Sequence, residues 1–197
     1  CSTFYPKPGD LLNWDPAVNV KVFNACWQAV QIRENDEANN CSLVVKLSYN
    51  GNAVLLTGDA NSDTEQEMLS HFSTGLRANI LKVGHHGSRT STSDAFLACV
   101  RPDYAFISVG LGNKYGHPHQ EALSRLLNAG AKIYLTTDGT QSVVIPAPSV
   151  SKPGKPLVVR EGKSIAETVP AGLTWDPAEI ADFTTPAFEQ LSGAAAK

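Results

Sequence analysis

No apolar run in the 197 residues approaches the roughly 18 needed to cross a bilayer, and the chain is read as soluble. No block of like charge stands out among the 16 Lys and Arg and the 19 Asp and Glu. The formal net charge of −3 excludes a global basic field for nucleic acid and leaves only a local patch. Neither GxGxxG nor GxxxxGK[ST] follows any apolar run, which argues against a nucleotide-binding α/β domain. The four cysteines, Cys1, Cys26, Cys41 and Cys99, include no CxxC or CxxH spacing. Cys26, Cys41 and Cys99 sit among apolar residues and read as buried thiols, with a disulfide as the open alternative; their usage fixes no compartment. The opening stretch CSTFYPKPGD has neither the basic nor the apolar part of a signal peptide. Cys1 is not a natural start, so the chain is expected to begin inside a longer polypeptide.

What is present is one domain's worth of core, with 42% hydrophobic residues. Residues 1–50 are irregular and strand-like, with Val18, Val20 and Val22 alternating. Two apolar runs around Asn50, Gly51 and Asn52 predict a hairpin. Strand and helix patterns then alternate. Ser62 with Glu65 predicts a capping box opening a helix that runs to about Phe72. A strand at Ile80–Val83, a helix from about Ser93 to Val100 and the strand YAFISVG follow. Pro118 is placed at the first position of a third helix, which buries Ala122, Leu123, Leu126 and Leu127 and stops at Gly130. Two more strands, AKIYLTT and QSVVIP, complete an α/β domain over residues 1–146. Residues 147–197, rich in Pro, Ser, Gly and Lys at first, read as a linker and appended tail with a strand-like piece at Leu157–Val159.

Three of these strands end in unusual loops: LLTGD with Asp59, VGHHGS with His85, His86 and Ser88, and VGLGNKYGHPH with Asn113, Tyr115, His117 and His119. In an open α/β sheet, ligands bind outside the carboxyl ends of the strands, and loops from neighbouring ends converge. Asp59 alone would suit a turn, the His pair a loop anchor, and His117 a helix cap. Together they offer the mixed imidazole and carboxylate set that suits zinc, manganese or iron. His119 is expected on the surface or behind the ligands, and His71 on a helix face without a role.

The order TGD, GHHGS and GHP, across residues 39–140, resembles the later half of a metallo-β-lactamase-fold hydrolase. It is most like the hydrolase domain of DNA-internalisation competence proteins, with phosphodiesterases among its relatives. The resemblance implies an αββα sandwich with two divalent transition metal ions, zinc first, on its edge. Asp59 would bridge the two ions and His117 would be the last histidine ligand. His85 and His86 would line the site, one of them meeting a substrate phosphate or acting as general acid, the two side chains diverging as on a strand. Ser88, Asn113 and Tyr115 are the substrate-contact candidates, and Lys82, Arg89 and Lys114 would face anionic oxygens. The HxHxDH cluster of that family is absent, and Asn39 and Asn40 stand where many members have a further histidine. An upstream segment carrying HxHxDH is therefore expected as a partner. The implied activity is metal-dependent hydrolysis of a phosphodiester, with nucleic acid as one candidate substrate; lactone or amide hydrolysis would use the same site. The rival reading is a catalytically inactive binding module for nucleic acid or a partner protein.

Overall fold

A computed structural model describes residues 4–26, 35–145 and 156–160; Cys1 and most of the predicted linker and tail lie outside them. Strands β1 (Leu11–Asp15) and β2 (Val18–Asn24) lead to helix α1 (Asn35–Asn40). β3 (Val44–Tyr49) and β4 (Asn52–Leu56) form the predicted hairpin. Asn50 and Gly51 both take positive φ, 46° and 72°, which a two-residue hairpin loop requires. Helix α2 (Ser62–Phe72), β5 (Ile80–Lys82), α3 (Asp94–Val100), β6 (Tyr104–Ile107), α4 (Gln120–Asn128) and β7 (Lys132–Leu135) then alternate. β1 to β7 form one mixed sheet in chain order, antiparallel from β1 to β4 and parallel from β4 to β7.

Register explains the core. Leu55, Leu81, Ala105 and Ile133 are aligned across the four parallel strands and are all buried in one cluster with Met68, Phe96, Leu97, Leu123 and Leu126 of the three helices. Each large side chain buried there contributes about 1.5–3 kcal/mol relative to exposure. The alternate row, Leu56, Lys82, Phe106 and Tyr134, points to the other face, where Phe106 and Tyr134 stack with centroids 5.0 Å apart. β8 (Gln141–Val144) leaves the main sheet and pairs with β9 (Leu157–Arg160). The strand-like piece is thus real, and it pairs back across the boundary expected at residue 146.

Four expectations are corrected. The α2 cap is Asn61, not Ser62: its side chain accepts from the Asp63 and Thr64 amides. Glu65 does not close a box; it is buried and accepts from the Thr92 and Ser93 amides at the start of α3. Pro118 precedes α4 in a cis His117–Pro118 bond, and His119 is the cap residue. Cys26 and Cys41 are a disulfide rather than two thiols. Asn24 donates its amide to the Asn40 and Ser42 carbonyls, joining the ends of β2 and α1 and bringing the cysteine Cα atoms to 4.9 Å, within disulfide reach. Cys99 is the free cysteine among the described residues. Replacing both Cys26 and Cys41 by Ser should cost about 3 kcal/mol for a loop of this length. Urea titration of the two proteins checks this, and the reduced unsubstituted chain should match the variant.

Candidate active site

The four parallel strands deliver their following loops to one edge, and a chain of hydrogen bonds fixes them to one another. The first loop is set by Ser42, whose hydroxyl accepts the Asp59 N–H at 2.9 Å. The His85 N–H donates to the Gly58 carbonyl at 3.1 Å, tying the second loop to the first. The His119 N–H donates to the Gly87 carbonyl at 2.8 Å, tying the third to the second. Thr136, just after β7, donates to the Val109 carbonyl at 2.7 Å and accepts its N–H at 2.8 Å. Arg125 of α4 meets the carbonyls of Arg89, Ser91 and Thr92, so α4 and Glu65 of α2 together clamp the segment after the histidine pair.

The histidine pair does not alternate as on a strand. His85 and His86 both lie in the left-handed region, with φ of 47° and 56°, at about 1–2 kcal/mol each for non-glycine residues. Strain of this kind persists where the surroundings over-determine it and gathers at functional sites. The turn separates the two rings. His86 bonds through Nδ1 to the Ser108 carbonyl at 2.6 Å, its Nε2 lies 3.5 Å from Asp59 Oδ1, and it lines a cleft of about 430 Å³. His85 turns inward: its Nδ1 is buried without a hydrogen-bond partner, and its ring lies 5.6 Å from that of His117. A buried lone pair or N–H left unmatched is costly, so this nitrogen is suited to a partner that the described residues do not supply.

His117 sits at the centre of the group. Its ring is 4.7 Å from His119, edge to face, and stacks at 6.5 Å on His86 and at 5.7 Å on Tyr115. Burial, followed by the neighbouring imidazoles His119, His85 and His86, holds its pKa below the ordinary value. The neutral ring, with a lone pair free, is therefore favoured near pH 7. His119 accepts the Arg89 N–H through Nδ1, and burial and the Arg89 charge lower its pKa too. Its ring packs edge to face on that of His117.

The substrate-contact candidates separate. Tyr115 lines the cleft and is exposed. Asn113 also borders it, but its carbonyl accepts the Tyr115 and His117 amides while its NH₂ donates to the Gly110 and His117 carbonyls. All four of its capacities are spent on the loop, so Asn113 acts on the site by placing His117. Ser88 is buried and turned into its own loop against Thr90. Of the basic candidates, Lys82 donates to the Gly58 and Val83 carbonyls, and its burial lowers its pKa against the pull of Asp59. Arg89 pairs loosely with Glu121 at 3.8 Å, and Lys114 sits over the Tyr115 ring. Asn40 faces α2, accepting the Thr64 hydroxyl. His71 is bonded within its own helix. Ser42, Thr136 and Arg125 are contributors that sequence reading missed, and Glu65 is one it assigned to a different partner; the partners lie 17 to 36 residues away, where local spacing carries no signal.

Gly87 is required here. Its φ is +80°, and an added Cβ would stand 2.7 Å from Pro118 Cβ. Gly87→Ala should cost about 1–2 kcal/mol from the backbone alone and push the His117–Pro118 segment out of place. A lowered melting temperature together with lost ligand or substrate affinity is the expected result; a protein unchanged in both would contradict this geometry.

The chain is 41% identical over 98 residues to ComE operon protein 3 of Bacillus subtilis, which is 50% of this chain and 12% of that protein. It is similar to competence proteins. Competence protein ComA of Neisseria gonorrhoeae is 36% identical over 104 residues, covering 53% of this chain and 15% of the relative. Recombination protein 2 of Haemophilus influenzae is 43% identical over 88 residues, covering 45% and 11%. The chain thus spans less than a sixth of the length of each of these relatives. No family model matches. Among the described residues, no helix is long and apolar enough to cross a membrane.

Proposed function

We propose that this chain supplies the later half of a metal-dependent phosphodiesterase with the αββα metallo-β-lactamase architecture, a nuclease in the setting of competence and DNA uptake. The observation that carries the reading is the meeting of Asp59, His85, His86 and His117 at the carboxyl edge of the parallel strands, beside an open cleft. Asp59 and His117 are donors of the types that divalent ions take, zinc first, manganese or iron next, and the Nδ1 of His85 has no hydrogen-bond partner among the described residues. Catalytic zinc takes about three protein ligands per ion, so the remaining ligands are assigned to a preceding HxHxDH segment. When bound, the ions supply an activated water and stabilise charge on the phosphate oxygens.

The chain's own residues do the rest. Asp59 and His117 hold the ions, and Ser42 and Asn113 hold Asp59 and His117. His86 donates its Nδ1–H to the Ser108 carbonyl and lines the cleft; in its doubly protonated form it would also carry a proton on Nε2 to hand to a leaving oxygen. Lys114 and Arg89 stand on the two flanking loops to meet anionic oxygens.

One observation favours the second reading, a binding module. Among the described residues, no group of three or more His, Cys, Asp or Glu side chains is arranged to hold a metal ion. Elemental analysis and phosphodiester hydrolysis by the full-length polypeptide separate the two. Bound transition metal and turnover support the hydrolase; a metal-free, inactive protein that still binds nucleic acid supports the module.

A further inference from the structure

Residues 88–93 read Ser-Arg-Thr-Ser-Thr-Ser, a polar run of the kind that is mostly left in water. Ser88, Ser91 and Thr92 are instead buried. Thr92 also takes a φ of 60°, where a β-branched residue is a marked outlier. Strain of that kind persists where the surroundings over-determine it, and here two charged side chains do so. The Glu65 carboxylate accepts the Thr92 N–H at one oxygen and the Ser93 N–H, at 2.8 Å, at the other. The Arg125 guanidinium donates to the Thr92, Ser91 and Arg89 carbonyls at 2.8, 2.8 and 3.0 Å. Burial pushes the Glu65 carboxyl above its ordinary range, and the hydrogen bonds from Ser93 and Thr92, with Arg125, pull the other way.

The clamped segment reaches back to the histidines through one hydroxyl. Ser91 Oγ donates to the Gly84 carbonyl at 2.8 Å and to the Ser88 carbonyl at 3.1 Å. Gly84 and Ser88 stand at the two ends of the left-handed turn that carries His85 and His86, and the Ser88 N–H closes that turn on the His85 carbonyl at 2.9 Å. Gly84 is wedged between its neighbours: an added Cβ would lie 3.0 Å from the Ala60 carbonyl oxygen and 3.4 Å from Ser91 Cβ. His85 and His86 carry the same backbone strain as Thr92, so the turn relaxes unless both of its ends are held. We propose that Glu65 and Arg125 are positioning residues for the histidine pair, acting through the Ser91 hydroxyl on the two ends of its turn. This rests on the hydrolytic site proposed above, whose imidazoles have to be held to within about 0.5 Å of their working geometry. A neutral amide does not replace Glu65, because glutamine has one acceptor oxygen to offer two N–H groups.

Amide hydrogen exchange of the full-length polypeptide in EDTA, resolved to single residues by fragmentation mass spectrometry, reads this without metal or substrate. Glu65→Gln should speed exchange at Thr92 and Ser93, and also at His85 and Ser88, on the order of 10- to 100-fold. The Tyr104 and Lys132 amides, at the opposite ends of the parallel strands, should keep their rates. Ser91→Ala removes only the connecting hydroxyl: His85 and Ser88 should loosen as before, with Thr92 and Ser93 still protected. Should Glu65→Gln loosen Tyr104 and Lys132 as well, Arg125→Lys takes its place, keeping the charge and losing the fork. Loosening confined to Thr92 and Ser93 in the clamp variant overturns the inference, as does a Ser91→Ala protein unchanged at His85 and Ser88. With metal restored, both variants should lower kcat on a p-nitrophenyl phosphodiester on the order of 10- to 100-fold with KM little changed; an unchanged kcat beside the exchange pattern also overturns the inference. If the unsubstituted protein cleaves nothing and the exchange pattern appears, the clamp holds the histidine turn and the hydrolase reading falls. Cleavage by a protein whose variants lack the pattern gives the reverse.

Discussion

Asp59→Ala is expected to strip the protein of bound metal and to abolish hydrolysis together. Asp59 lies three residues beyond β4, its backbone N–H donating to the Ser42 hydroxyl, and its side chain remains partly open. Among the described acidic residues it is the one in contact with the histidine group, 3.5 Å from His86. No neighbouring carboxylate is placed to substitute for it: Glu65 is engaged with Thr92 and Ser93, and Glu121 faces Arg89. Two nearer controls grade the effect. Ser42→Ala leaves the carboxylate but frees its loop, and a change behind the ligands of this kind typically costs about 10- to 100-fold in metal affinity or activity. His119→Ala, behind His117, should cost little. Elemental analysis of the three variants decides the matter: an Asp59→Ala protein with the metal content of the unsubstituted one removes Asp59 from the metal site.

The candidate site was legible because its residues are local. Each loop follows an apolar run by one to a few residues, so Asp59, His85, His86 and His117 could be placed at strand ends without any knowledge of pairing, and parallel neighbours bring strand ends together by geometry alone. The Asn50–Gly51 turn and the burial of Ala122, Leu123 and Leu126 were legible for the same reason. What escaped depends on contacts between distant segments. Ser62 and Glu65 have capping-box spacing, yet Asn61 lies one residue earlier with an equally good acceptor, and Glu65 finds amides on α3 that local spacing cannot reveal. The Cys26–Cys41 bridge depends on Asn24 joining two segments that share no pattern. The histidine pair was expected to diverge by strand alternation; the rings diverge through a left-handed turn instead, which only Gly87 and the packing of Pro118 against it make readable.

That turn sends the two rings to different surroundings, and under the proposed hydrolysis the difference gives the second large effect. His86 lines the cleft, and its Nδ1 is committed to the Ser108 carbonyl, so Nε2 is the nitrogen left for the proposed proton transfer. A group that protonates the leaving oxygen matters in proportion to how poor the leaving group is, and its loss typically costs on the order of 10² to 10⁴ in rate. His86→Ala should therefore fall by that order on a dinucleotide, whose leaving group is an alkoxide. Much less should be lost on a p-nitrophenyl ester, whose leaving group departs without a proton. His85 does not line that cleft, and its buried Nδ1 lacks a partner within the described protein. His85→Ala should instead lower metal content and depress both substrates alike. The pair of rate ratios, alkoxide over p-nitrophenolate, is the measurement. A ratio that drops for His86→Ala and stays constant for His85→Ala supports the assignment, and a drop confined to His85→Ala reverses it. Equal losses on both esters in both variants would mean that neither imidazole hands over a proton, leaving the charge on the departing oxygen to be stabilised by the ions alone.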